Sequence, residues 1–181
     1  MAKSEYRNSI RSKAMIRASF SELLKEKSFG EISISDVVLK ADIARATFYA
    51  HFKDTKEVLY ALIESTIDEV GIMLESIDSS NYKKSIKHNF EIISAYIAKN
   101  LKYAKSLVGA DRECGVSSIF IDEISERLSF LKDKESMAFL LSGIYYFYRD
   151  IIDEKASISL VEAPSVLESF FIAILETAIA K

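Results

Sequence analysis

The chain has 181 residues, of which 49% are hydrophobic and 28% charged, and its formal net charge is −3. That length fits one domain, or a small domain fused to a larger one, and the apolar content excludes a globally disordered chain. A single Pro and five Gly are too few breakers for a Pro-rich, collagen-like or many-turned β protein, so composition alone points to an all-α fold.

Cys114 is the only cysteine, which excludes an intramolecular disulfide and a cysteine-based zinc cage. Residues 1–13 are polar and basic, with no apolar core of the kind a signal peptide carries. The longest apolar stretch, Met137 to Tyr148, is well short of the ~20 residues that span a bilayer. A reducing cytoplasm is therefore the expected location, with no membrane association. Residues 1–60 carry 11 Lys/Arg and 8 Asp/Glu, whereas residues 61–181 carry 13 and 19. A basic end on an acidic body fits a polyanionic partner for that end, and fits a solvated basic helix face equally well.

In chain order, residues 5–27 read as a helix with Ile16, Phe20, Leu23 and Leu24 in one stripe and Ile10, Ala14 and Ala18 beside it. Gly30 is its expected C-terminal cap. Ser33 with Asp36 three residues on forms a capping box that opens a short helix over 34–40, with Val37 and Val38 facing the core. After the turn Ala41-Asp42-Ile43, a third short helix over 44–51 turns Phe48 and Phe52 inward. Asp54 caps a fourth, to about residue 76, with Leu59, Leu62, Ile63, Val70, Met73 and Leu74 on one face. The polar run Asp78-Ser79-Ser80-Asn81 is a linker. A helix over 83–100 carries Ile86, Phe90, Ile93 and Ile97, and a short one covers 101–110. A seventh over 116–131 carries Ile119, Phe120, Ile124, Leu128 and Leu131. Two strongly apolar helices close the chain: 134–153, with Met137, Leu140, Leu141, Ile144, Tyr148 and Ile151, and 162–180, with Leu167, Phe170, Phe171, Ile174 and Ala178.

The segment 33–59 is the informative one. Two short helices joined by a tight turn, with a longer helix on either side, have the layout of a helix-turn-helix, whose second helix enters the major groove. That helix carries the right chemistry. Arg45 can donate bidentately to guanine, Thr47 can meet a thymine methyl or a phosphate, and Tyr49 and His51 present polar tips to phosphate. Ser33, at a helix start, adds backbone N–H groups that suit phosphate.

Residues 41–59, ADIARATFYAHFKDTKEVL, resemble the recognition-helix region of TetR-family transcriptional regulators, whose pattern runs roughly AGVSxGTFYxHFxSKEEL. The resemblance covers about residues 8–60, and Thr47-Phe48-Tyr49-x-His51-Phe52 is its most specific part. It implies phosphate contacts from Ser33, Tyr49 and His51, and base-edge contacts from Arg45, Ala46 and Thr47. Three positions depart from the pattern: Asp42 stands at the turn glycine, Ala44 at the capping serine, and Thr55 at the phosphate-binding lysine, which leaves Lys53 or Lys56 to take over that contact.

By architecture, the resemblance implies a division into a helix-turn-helix domain at 1–54 and a helical effector-binding and dimerisation domain at 55–181, about nine helices in all. It implies a homodimer through 134–153 and 162–180, double-stranded operator DNA as partner, and an unidentified small-molecule effector. Tyr96, Tyr103 and Phe120 are candidates to line the effector pocket, and the aromatic run Tyr145 to Tyr148 suits an interface. The expected function is a transcriptional regulator, a repressor released by its effector; the alternative is a TetR-like adaptor that has lost DNA binding. No catalytic constellation, cofactor motif or metal motif occurs in the chain. His88, beside Lys84 and Lys87, reads as solvated, and Cys114, near Arg112, is a minor candidate for redox sensing.

Overall fold

The computed structural model describes residues 2–74, 82–127 and 134–179. Every regular element among them is helical: α1 (Ala2–Glu26), α2 (Ile34–Lys40), α3 (Arg45–Tyr49), α4 (Thr55–Met73), α5 (Tyr82–Lys99), α6 (Leu101–Cys114), α7 (Val116–Arg127), α8 (Lys134–Ile152) and α9 (Ala163–Ile179), with one 3₁₀ turn at Phe29–Glu31.

The α1 stripe is the keel of the amino-terminal half. Ile16 and Phe20 are fully buried, and Leu23 and Leu24 nearly so; each such side chain contributes about 1.5–3 kcal/mol on removal from water. The flanking Ile10, Ala14 and Ala18 stay exposed, so the apolar surface beside the stripe is solvent-facing. Around this stripe gather Val37 from α2, Phe48 from α3, and Val58, Leu59 and Ile63 from α4. Val38 is half-buried against the same core.

Gly30 does not cap α1. It lies inside the 3₁₀ turn and lacks the left-handed backbone that a C-terminal glycine cap requires. Its closest neighbour is the Glu113 carboxylate of α6, which would lie 3.2 Å from a β-carbon at that position. The turn is held by Ser28, whose N–H and hydroxyl both donate to the Glu31 carboxylate.

At the start of α2 the capping box forms as expected: Ser33 Oγ accepts from the Asp36 N–H, and the Asp36 carboxylate accepts from the Ser33 N–H at 2.8 Å. Lys27 adds an ion pair to Asp36 at 2.9 Å. The Ser33 hydroxyl, then Lys27, then the Ser33 N–H hold the Asp36 carboxyl well below the usual carboxylate range. A depressed folded-state value contributes stability that is fully present above the unfolded-chain value of about pH 4 and is lost progressively as pH falls from there through the folded-state value. A carboxyl-resolved NMR titration is expected to find Asp36 still ionised at a pH where exposed aspartates are protonated.

The turn between α2 and α3 is closed by two backbone bonds, from Asp42 N–H to Leu39 O and from Ile43 N–H to Val38 O. This double closure places Asp42 in the left-handed region at φ 52°. Ala44 occupies the N-cap of α3 and provides no side-chain cap. Aspartate tolerates left-handed backbone better than most residues but less well than glycine. Asp42→Gly together with Ala44→Ser is therefore expected to stabilise the protein by about 1–2 kcal/mol, readable as a raised denaturation midpoint.

The Asp54 side chain caps α4 by accepting from the Glu57 N–H at 2.9 Å. α4 ends at Met73 rather than continuing to 76, and Met73 is exposed, not part of the core stripe. The linker 78–81 lies outside the described residues, as do Leu128 and Leu131. The side chains of Met137, Ile174 and Ala178 are likewise not described. α6 outruns its expected end at 110 and continues to Cys114, where Gly115 at φ 64° stops it.

α6 carries the first core onward: Tyr103, Leu107, Ala110 and Cys114 are buried against α1 and α4, together with Val116 at the start of α7. A second core forms from Ile86 and Phe90 of α5, Tyr148, Ile151 and Ile152 of α8, and Ala163 and Leu167 of α9. Between the two cores lies a cavity.

Candidate nucleic-acid interface and effector cavity

α3 is five residues long and divides cleanly into two faces. Phe48 is fully buried and Phe52 nearly so, with their rings 6.1 Å apart. Arg45, Ala46 and Tyr49 are exposed, and Thr47 is half-buried. The inward anchors hold a face that carries one guanidinium, one methyl, one hydroxyl and one phenol. That is the inventory a base-reading helix needs.

Arg45 lies along this face. Its guanidinium sits 5.8 Å from the Tyr49 ring centroid, with long contacts to Ser35 Oγ at 3.3 Å and Tyr49 Oη at 3.4 Å. Contacts this long and exposed cost little to exchange for a base edge. Ser33 is exposed, but its hydroxyl is committed to the Asp36 carboxylate at 2.7 Å. What it offers an anion is reduced by that neighbouring negative charge.

His51 is half-buried, with Nε2 2.6 Å from the Ser12 hydroxyl of α1. That bond ties the end of the recognition helix to α1 and orients the imidazole. Lys13, one residue further along α1, lies 5.6 Å from the Phe52 ring centroid. Sequence reading did not single out Ser12: it stands 39 positions from His51, and no local pattern marks it.

Lys53 is exposed and paired with Glu57 at 3.0 Å; Glu57 also accepts the Lys53 backbone N–H at 2.8 Å. The Glu57 carboxylate raises the Lys53 pKa. Lys56 instead lies over the Tyr60 ring at 5.5 Å. A phosphate near the start of α4 would have to compete with Glu57 for Lys53, whereas the Lys56 ammonium is not held by a carboxylate in the same way.

The three expected pocket residues come together. Tyr96, Tyr103 and Phe120 all line one cavity of about 920 Å³, to which all six helices α4–α9 contribute. Its walls are chiefly apolar: Ile67, Ile93, Leu107, Ile124, Ile144 and Phe171 are among them. Tyr103 is buried, and burial pushes its phenol pKa up. Thr66 donates its own proton to Leu62 O at 2.9 Å, so the Tyr103 hydroxyl is the donor to Thr66 Oγ1 at 3.0 Å. Tyr96 donates to Glu69 at 3.2 Å.

The aromatic run of α8 does not act as one interface strip. Tyr148 points into the subunit's own core, hydrogen-bonded to Ser94 at 2.9 Å, and burial pushes its pKa up to about 12. Tyr145 lines the cavity, with its ring 5.9 Å from Phe120. Tyr146 alone of the run is exposed. The helical spacing of Leu141, Ile144, Tyr145 and Tyr148 held the signal: they share an inward stripe that Tyr146 leaves.

Cys114 is buried and burial raises its thiol pKa, which disfavours the reactive thiolate. Redox sensing at this residue therefore has no support from its surroundings. His88 is half-exposed, with Nδ1 3.7 Å from Glu91. Among the described residues, no helix is long and apolar enough to cross a membrane.

Comparison with known proteins agrees with this geometry. Residues 18–63 match the family model described as bacterial regulatory proteins, tetR family. An uncharacterized HTH-type transcriptional regulator of Haemophilus influenzae is 27% identical over 134 residues, which cover 65% of this chain and 63% of the relative. The match thus spans somewhat less than two thirds of that relative's length. Among solved structures, a TetR transcriptional regulator from Rhodococcus sp. RHA1 superposes with a TM-score of 0.61 at 13% identity, covering 88% of this chain and 93% of that one. The dihydroxyacetone kinase operon activator DhaS superposes with a TM-score of 0.60 at 18% identity, covering 93% and 98%. The helix-turn-helix segment thus matches the TetR family of bacterial regulatory proteins, and the chain shares the all-helical fold of solved TetR-family structures.

Proposed function

We propose that the protein is a homodimeric, cytoplasmic repressor that reads a near-palindromic operator and is released from it by a small molecule. Residues 1–54 serve as the DNA-reading unit and residues 55–181 as the effector-binding and dimerisation unit. The observation that carries the reading is the two-faced α3: Phe48 is locked in the core while Arg45, Ala46 and Tyr49 are presented outward. Arg45, Ala46 and Thr47 meet base edges, and Tyr49, His51 and Lys56 meet phosphates, with Ser33 and Lys53 as further phosphate contacts.

Dimerisation is supported by aromatic side chains that the last two helices leave exposed, Phe139 and Tyr146 on α8 and Phe170 on α9. Two α3 helices must lie about 34–36 Å apart, or a multiple of that, to read successive major grooves. The cavity can control that spacing because α4 and α6 line it and also pack on α1. Ser106 of α6 donates to the Leu24 carbonyl near the end of α1, a direct tie between the two units. An effector that binds better to the wrongly spaced state weakens DNA binding by the same factor.

The test is selection of random duplex DNA by the purified protein, followed by titration across salt. An enriched near-palindrome with a steep salt dependence is expected. Absence of enrichment, with or without effector candidates, would favour the adaptor reading over this one. A promoter reporter then reads the sign of regulation, since a protein named as an activator shares this fold.

A further inference from the structure

We propose that Ser12 is a positioning residue that locks the neutral His51 imidazole with its proton on Nε2, so that each subunit takes up one proton, at His51 Nδ1, when it binds an operator phosphate. The inference rests on the reading of His51 as a phosphate contact beside the DNA-reading helix, and adds what that contact requires.

The tautomer follows from counting protons at Ser12. Its hydroxyl has a single proton to donate. Three groups surround its oxygen: the Asn8 carbonyl at 2.9 Å, the Ser9 carbonyl at 3.1 Å and His51 Nε2 at 2.6 Å. The two carbonyls can only accept, whereas an imidazole nitrogen can accept or donate. All three contacts are made together when Ser12 donates to the carbonyls of its own helix and His51 Nε2–H donates to Ser12 Oγ. A neutral imidazole has one N–H, so Nδ1 then carries a lone pair. Nδ1 meets no hydrogen-bond partner among the described residues.

A phosphate oxygen is an acceptor with negative charge, and a bare Nδ1 repels it. Turning Nε2–H toward the phosphate instead would break the bond to α1. Protonation of Nδ1 keeps that bond, makes both nitrogens donors and gives the new contact the strength of a charge-assisted hydrogen bond. The proton comes from solvent and no other bond breaks. An imidazole changes charge within the physiological range, so the coupling acts where the protein works.

The charged neighbours of the imidazole do not take the place of that phosphate. On α1, Arg11 is exposed and Lys13 lies against Phe52; on α3, Tyr49 is exposed. In the following turn, Lys53 pairs with Glu57, and Asp54 accepts the Glu57 N–H. Glu57, Tyr60 and Glu64 of α4 and Glu123 of α7 share a shallow groove with His51. Among the described residues none of these carboxylates forms an ion pair with it. An arriving phosphate is therefore the group that rewards a proton on Nδ1. The DNA-bound state holds more protons than the free state, so affinity is highest at low pH and falls as pH rises.

The experiment titrates the full chain with the duplex recovered by selection, across a pH series. Parent affinity should fall by about 5–100-fold between about pH 7 and pH 8, the upper figure being the limit for one proton per subunit of a dimer. His51→Gln should give a flat profile. Ser12→Ala frees Nε2–H to reach the phosphate without a further proton, and should lose at least about half of the logarithmic slope. Ser12→Thr keeps the hydroxyl and should retain it. Two measurements on the parent need no variant to fold. Calorimetry in buffers of different ionisation heat should count at least about one proton taken up per dimer at about pH 7.5. A long-range proton–nitrogen NMR spectrum of the free protein at about pH 8 should find the imidazole proton on Nε2.

A proton found on Nδ1 in that spectrum overturns the inference. So does operator binding without proton uptake, a folded His51→Gln variant with the parent's slope, or a folded Ser12→Ala variant with the parent's slope. In each of these cases the regulator reading stands. If no duplex is bound at any pH, the regulator reading itself falls and the inference with it.

Discussion

Phe48→Ala is expected to cost about 3–5 kcal/mol of folding stability, a large share of the roughly 5–15 kcal/mol that holds a typical domain together. Phe48 is fully buried, packs edge-on to Tyr49 at 5.7 Å and lies 6.1 Å from Phe52. It is the only fully buried side chain of a five-residue helix, too short to persist without packing. Its removal leaves a void at the centre of the first core, where α1, α2 and α4 converge. Chemical denaturation should find a midpoint far below that of the parent, and operator binding should be lost even where the remaining helices stay folded. Phe48→Leu, which keeps most of the volume, should lose much less. Equal losses for Leu and Ala would mean that the ring is not packed as described.

Arg45→Ala is expected to leave stability within about 0.5 kcal/mol of the parent, because Arg45 is exposed and its contacts are long. Its effect falls on DNA: a loss of about 1–3 kcal/mol in operator binding, concentrated at one base position of each half-site. Tyr49→Phe should instead weaken binding to all sequences by similar factors, since a phosphate contact carries no base information. Repeating the duplex selection with each variant separates the two. If Arg45→Ala retains the parent's sequence preference at every position, Arg45 does not read bases, and the orientation of α3 proposed above is wrong.

The contrast between these two residues also shows which parts of the site were legible beforehand. Phe48 and Phe52 could be placed inward from their spacing on a short helix, and Ser33 with Asp36 could be read as a capping box, because both are local rules of helix geometry. Asp42 was legible as the turn residue only because it stands where the resembled TetR-family pattern has glycine. The His51 tether to Ser12, the tie from Ser106 to α1 and the division of the Tyr145–Tyr148 run were not legible. Each depends on which helix lies opposite, and side-chain periodicity states only that a face is apolar, not what it meets. Tyr148 and Tyr146 are two positions apart in an equally aromatic run, yet one is core and the other is exposed.

What the sequence by itself determined is therefore the local grammar: an all-helical chain, its breakpoints within a few residues, the buried faces of α1 to α4, and the helix-turn-helix whose recognition pattern resembles that of the TetR family. These follow from short-range sterics, capping and the 3.6-residue period, which act within a few turns of chain. What only the tertiary structure decided is how those faces are spent. It paired α5 with α9 and α7 with α8, carried α6 across to α1, and left between the two cores a cavity to which all six helices α4–α9 contribute. Those outcomes depend on contacts between residues tens of positions apart, and an amphipathic pattern is equally satisfied by any apolar partner of the right size.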